Sequence, residues 1–142
     1  MKKIKRRYLN KAFTEEDYKQ REASAEFAIV KEVEDLVLKA QRAGVKTYVI
    51  AAGVLYWKGE ETFNSHFKKA WLQNPERLPV VGEGKNYVPT VHVTDLARMV
   101  KKVFETKPER QYIFGIDNTQ KPKQCRLVKA ISEGIGTGLV ES

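Results

Sequence analysis

The sequence predicts an α/β fold, a parallel sheet flanked by helices, and two stretches carry that prediction. From Glu22 to Ala43 the apolar residues Ile29, Val33, Leu36, Val37 and Ala40 recur at helix spacing, and Gly44 follows as a stop signal. Lys46 to Ala52 is then a nearly continuous, β-branched apolar run, the pattern of a strand buried on both faces. A helix joined to such a strand by a short Gly turn is half of a crossover unit. The second stretch is Leu78 to Arg98. Two β-runs, Pro79 to Val81 and Thr90 to Val93, bracket a loop holding Gly82, Gly84, Asn86 and Pro89, and Thr94-Asp95 opens an amphipathic helix.

The remaining elements follow in order. Residues 1 to 21 read as a polar, extended, basic arm, and residues 22 to 142 as one partial domain. After a loop from Gly53 to Gly59, a second helix spans about Thr62 to Gln73, with Phe63, Phe67, Ala70 and Trp71 as its apolar stripe and core contribution. The two β-runs form a short hairpin-like pair. A third helix covers about Asp95 to Glu105, a strand Gln111 to Ile116, and a last helix about Pro122 to Glu133. Gly134-Ile-Gly-Thr-Gly138 follows a helix, so it reads as a helix exit and not as a phosphate cradle.

Charge and cysteine usage narrow the classes of function. The formal net charge of +8 is concentrated at Lys2, Lys3, Lys5, Arg6, Arg7 and Lys11 and again in residues 98 to 129, not along one recognition helix, which argues against a nucleic-acid reader. A basic arm of this kind suits nucleic acid, an anionic membrane or an acidic protein surface such as a tubulin lattice. The single Cys125 excludes an internal disulfide and fits a reducing compartment. No apolar run approaches the length of a membrane span, and the charged start lacks the apolar core of a signal peptide, so a soluble intracellular chain is expected.

Pro79-Val-Val-Gly-Glu-Gly-Lys-Asn86 with Val91-His-Val-Thr-Asp-Leu-Ala97 resembles the "PVxGdGxN…VHVxDLA" segment of the NAD-dependent epimerase/dehydratase group, the extended short-chain dehydrogenases. Lys46 to Tyr56 sits where that family has a buried strand and its "RPxxVYG" turn, and Tyr112-Ile-Phe-Gly-Ile116 where it has "YNIG". The resemblance implies the C-terminal half of a Rossmann-like domain. Phe13 to Tyr18, Leu36 to Lys39, Thr47 to Gly53, Ala70 to Leu72 and Val88 to Val93 look, more narrowly, like the dehydrogenase-like region that precedes the kinase domain in ciliary adenylate kinases. That narrower likeness implies a place in a ciliary or flagellar axoneme, of radial-spoke type, and protein partners in a large assembly. It also favours the acidic-protein reading of the basic arm.

Half a Rossmann-like sheet leaves the edge beside Lys46 to Ala52 unpaired. Such an edge needs a cover, either the other half of the same domain or a neighbouring protein.

Enzymes of the resembled family move hydride to or from NAD(P) with a Tyr-x-x-x-Lys pair, whose spacing puts phenol and amine on one helix face. Aligning on Glu34-Asp35-Leu36-Val37 places Glu26 and Val30 at those positions; aligning on the available lysine places Phe27 and Lys31 there. Neither register has a phenol. Phe27 and Lys31 are thus degenerate catalytic positions, Lys31 is expected to be solvated, and Tyr18 lies in polar context outside the pair. No Gly-x-Gly-x-x-Gly turn precedes residue 44, so no dinucleotide, and no cofactor, is expected to be held by these residues. An active epimerase or reductase half-domain and a dinucleotide-sensing regulator stand as alternatives to a non-catalytic docking module.

Three other residue groups suggest chemistry less strongly. Gly82-Glu-Gly-Lys85 lacks the earlier glycine, the following Ser or Thr and the helix of a Walker A loop. His66 and His92 have no metal-ligand spacing around them; His92 reads as a strand histidine with one hydrogen bond and His66 as exposed. Trp57 is the large aromatic suited to a partner interface, alongside the basic arm.

Overall fold

The computed structural model describes residues 13–59, 61–117 and 123–141. The class is α/β, with small parallel sheets flanked by helices, compatible with half of a Rossmann-like domain. The elements are α1 (Ala28–Lys39), β1 (Val49–Ala52), β2 (Val54–Tyr56), α2 (Asn64–Leu72), β3 (Thr90–His92), α3 (Val93–Thr106), β4 (Tyr112–Gly115) and α4 (Gln124–Ile135). They divide between two compact units, Met1–Ala51 with Lys107–Phe114, and Ala52–Thr106 with Gly115–Ser142.

In the first unit the arm is not extended throughout. Glu15–Gln20 coils into a 3₁₀ helix, begun by Thr14, whose backbone N–H and hydroxyl both donate to the Asp17 carboxylate at 2.8 and 3.1 Å. Arg110 Nη1 donates to Glu15 at 3.0 Å. After a further 3₁₀ turn, Ala25–Phe27, α1 begins six residues later than the apolar pattern suggests and ends at Lys39. Gly44, at φ 78°, serves a tight turn closed by two hydrogen bonds between Arg42 and Val45, not the end of the helix.

Only Val49–Ala52 of the predicted strand is β; none of its residues is fully buried and Ala52 is exposed, so it is not covered on both faces. Among the described residues β1 has one neighbour, β4. The bonds from Val49 N–H to Gln111 C=O and from Gly53 N–H to Gly115 C=O advance together along both strands, the parallel pattern. Side chains pin the entry of β4. Tyr48 donates to Pro108 C=O at 3.0 Å, Lys46 to Lys107 C=O at 3.0 Å, and Gln111 Nε2 to Leu38 C=O at 3.2 Å. Tyr112 is 2% exposed, with Tyr18 stacked on it at 4.7 Å and Arg21 donating to its hydroxyl at 2.9 Å.

In the second unit the predicted hairpin does not form: Pro79 to Val81 is not β, only Leu78 before it makes a bridge, and the other arm finds a parallel partner elsewhere. Leu78 bridges to Val140, and β3 pairs with β2, a run whose sequence reads as loop, in the register Val54–Thr90, Leu55–Val91, Tyr56–His92. α2 packs on α4 around Ala70, Leu78 and Val128, with Val80, Ile131 and Val140 against them. The predicted α2 stripe is corrected here. Ala70 is buried, whereas Trp71 is 74% exposed and Phe67 and Leu72 are exposed too, since α4 meets the Ala70 edge of the helix. α3 buries Val103 and leaves Val100 and Phe104 in solvent. α4 starts at Gln124 and runs through Gly134 to Ile135, so only the last part of the Gly-rich exit is loop.

Candidate functional site

α1 is the helix on which a dehydrogenase-like reading would place its acid–base pair. Phe27 stands at its N-cap with its ring exposed, and Val30 is exposed in the other register. Lys31 is not simply solvated: its Nζ donates to Asp35 at 2.7 Å, one helical turn on, and that bond holds the Asp35 carboxyl below its usual range. Neither register puts a hydroxyl beside Lys31. The nearest phenols in sequence serve packing, Tyr18 against Tyr112 and Tyr48 on Pro108. Burial, reinforced by the Glu34 carboxylate, pushes the Tyr112 phenol above its usual value.

The same helix exposes most of its apolar surface. None of its residues is buried, and Ile29 is 75% exposed. Ile29, Val30, Val33, Glu34 and Val37 form one wall of a groove of about 390 Å³ closed by Tyr48 and Val49. β1 has no second strand neighbour among the described residues. An isolated 12-residue helix rich in Val and Ile is marginal in water, and packing of its apolar face is the usual source of its stability.

In the second unit Trp57 is 52% exposed, with its ring edge-on to His92 at 4.8 Å. His92 ends β3, accepts the Thr94 N–H at Nδ1 (3.3 Å) and lies 5.1 Å from the Tyr56 ring. Thr90 donates to Asp117 at 3.2 Å, and Asp117 N–H returns a bond to Thr90 C=O at 2.7 Å. Burial, then the hydrogen bond with Asp117, raises the Tyr56 phenol. This group is not legible in the sequence, where the run after Gly53 reads as loop. The β-branched Val54 in register with Thr90 was the signal available.

The Gly82 to Lys85 segment is a turn packed on the start of α4. Gly84, at φ 61°, accepts Cys125 N–H at 3.0 Å, and Asn86 C=O accepts Gln124 N–H at 2.9 Å. The first amides of α4 are thus bonded to protein carbonyls, leaving none in that turn for a phosphate. No group of three metal-ligating side chains assembles among the described residues. Among the same residues no helix is long and apolar enough to cross a membrane. The basic arm proposed for partner binding, Lys2, Lys3, Lys5, Arg6 and Arg7, lies outside the described residues.

His66 is half buried, not exposed, and its Nδ1 has no hydrogen-bond partner. Burial, with Lys69 nearby, lowers its pKa below the ordinary histidine value of 6.5. The unfolded chain therefore takes up this proton first, and stability falls as pH drops below 6.5 towards the folded value. Thermal unfolding on either side of that pH should show a loss on the acid side that His66→Gln removes. Identical pH profiles for the two proteins would exclude His66 as its source.

No family model matches the chain, and no solved structure matches it. Among curated proteins, adenylate kinase 7 of Mus musculus is 35% identical over 131 residues, 91% of this chain and 21% of that protein. Adenylate kinase 7 of Macaca fascicularis is 37% identical over 110 residues, 76% of this chain and 20% of that protein. The chain is therefore similar along most of its length to a stretch of adenylate kinase 7, and it spans about a fifth of the length of these relatives.

Proposed function

We propose that this chain is a non-catalytic, dehydrogenase-like docking module of an axonemal, radial-spoke-type protein related to adenylate kinase 7. The observation that carries the reading is α1: on the family resemblance it would be the Tyr-x-x-x-Lys helix, yet it lacks the phenol in either register, ties Lys31 to Asp35 and exposes its apolar face. An amphipathic helix without an acid–base pair serves contact better than chemistry. The assignment to the extended short-chain dehydrogenases rests on the Pro79 to Ala97 and Lys46 to Tyr56 motifs. The ciliary location rests on the likeness to adenylate kinase 7. Phosphoryl transfer, which the name of those relatives describes, would need a phosphate loop other than Gly82 to Lys85. The basic arm supplies a salt-sensitive contact to an acidic surface, and Trp57, braced on His92, offers an aromatic anchor.

The non-catalytic half of the proposal is tested with NADH or NADPH and a panel of sugar nucleotides and carbonyl compounds, followed at the nicotinamide absorbance. No change is expected, and calorimetric titration with NAD, NADP or ATP should give no micromolar binding. Turnover that Lys31→Ala abolishes would overturn the reading.

A further inference from the structure

The exposed face of α1 carries a charge pattern that selects its own kind of partner. With 3.6 residues per turn, Ile29, Val33, Leu36 and Ala40 fall on one stripe at spacings of four, three and four, the seam of a two-helix contact. Ile29, Val33 and Leu36 are all exposed. One flank of the seam holds Glu32 and Lys39, seven residues apart; the other holds Val30 and Val37, also seven apart. Glu32 and Lys39 are exposed, and neither forms an ion pair with a described residue, unlike Lys31, Glu34 and Asp35 on the same helix.

In a parallel pair each flank meets the opposite flank, so Glu32 and Lys39 would face valines and lose their water without gaining a partner. In an antiparallel pair each flank meets its like. Glu32 then reaches Lys39 of the second copy, Lys39 reaches Glu32 of it, Val30 meets Val37, and Val33 packs opposite Leu36. A two-fold axis requires that reciprocity.

We propose that α1 pairs antiparallel with α1 of a second copy of this chain, burying the Ile29–Val33–Leu36 seam between reciprocal Glu32–Lys39 ion pairs. The proposal rests on the docking reading above and names one occupant of the docking face. A contact built on a 12-residue helix is small, so the dimer is a weak one that forms at micromolar or higher concentration.

Sedimentation velocity of the 142-residue chain across a concentration series reads the association, with circular dichroism on each variant as a check of folding. A monomer–dimer equilibrium is expected. Glu32→Lys, which turns both attractive pairs into repulsive ones, should weaken it about tenfold. Lys39→Glu should do the same, and the double reversal Glu32→Lys with Lys39→Glu should restore it. Val33→Asp, at an exposed seam position, should abolish it. A chain that stays monomeric, or a dimer indifferent to both single reversals, overturns the pairing. If such a chain still sediments with axonemes, the docking reading survives and the face belongs to a different protein; if it binds nothing, both fall.

Discussion

Leu78→Ala should remove about 2–5 kcal/mol of stability, the largest loss of any single truncation in the second unit. Leu78 is 1% exposed and packs with Ala70 and Val128. Its backbone also holds the C-terminal strand-like segment, donating to Leu139 C=O at 3.2 Å and accepting from Glu141 N–H at 2.9 Å. A void there cannot collapse easily, because the residues around it are held in three separate elements, α2, α4 and the Val140 bridge. Against a total stability of about 5–15 kcal/mol for a domain, the loss is large enough to leave part of the chain unfolded at 37 °C. Urea unfolding followed by tryptophan fluorescence reads the shift, since Trp71 is on α2; a midpoint within error of the parent would show that this cluster is not the core of the unit.

Gly53→Ala comes next. An alanine Cβ at this position would lie 2.6 Å from the Pro89 carbonyl oxygen and 2.9 Å from its carbon. The obstacle is backbone, and Pro89 C=O is already fixed as the acceptor of Val54 N–H at 2.8 Å, the bond that starts the β2–β3 register. Replacing glycine also removes freedom from the unfolded chain, a gain of about 0.4–1 kcal/mol. Overpacking costs about 1–3 kcal/mol, so the net effect is destabilising and falls on the strand pair that positions Tyr56 and His92. Amide exchange at Val54 to Tyr56 should accelerate in the variant, and unchanged protection there would show that Pro89 can move aside.

The sequence carried the helices better than the sheets. Each of the four predicted helices is present because a 3.6-residue apolar period survives whichever face is covered. Their ends were less legible: α1 opens late because Ala25–Phe27 takes a 3₁₀ form, and α3 opens two residues early, directly from β3. Strand pairing could not be read from local pattern. Pro79 to Val81 and Thr90 to Val93 flank a glycine turn as a hairpin would, yet Pro79 to Val81 forms no strand, Leu78 bridges to Val140, and Thr90 to His92 pairs with Val54 to Tyr56, partners remote in sequence. The same limit applies to the site. The missing phenol at Glu26 or Phe27 was visible in the letters, whereas the exposure of α1, the Lys31–Asp35 bond, the desolvated His66 and the Tyr56–His92–Asp117 group depend on what each residue packs against.

Docking, the central claim, is tested most directly by co-sedimentation of the 142-residue chain with demembranated, salt-washed axonemes at increasing ionic strength. The chain is expected to pellet at low salt and to be released as the salt rises and the Debye length shrinks, and deleting residues 1–11 should lower retention without altering the circular dichroism spectrum. A folded chain that remains in the supernatant at low salt, with or without those residues, would contradict it.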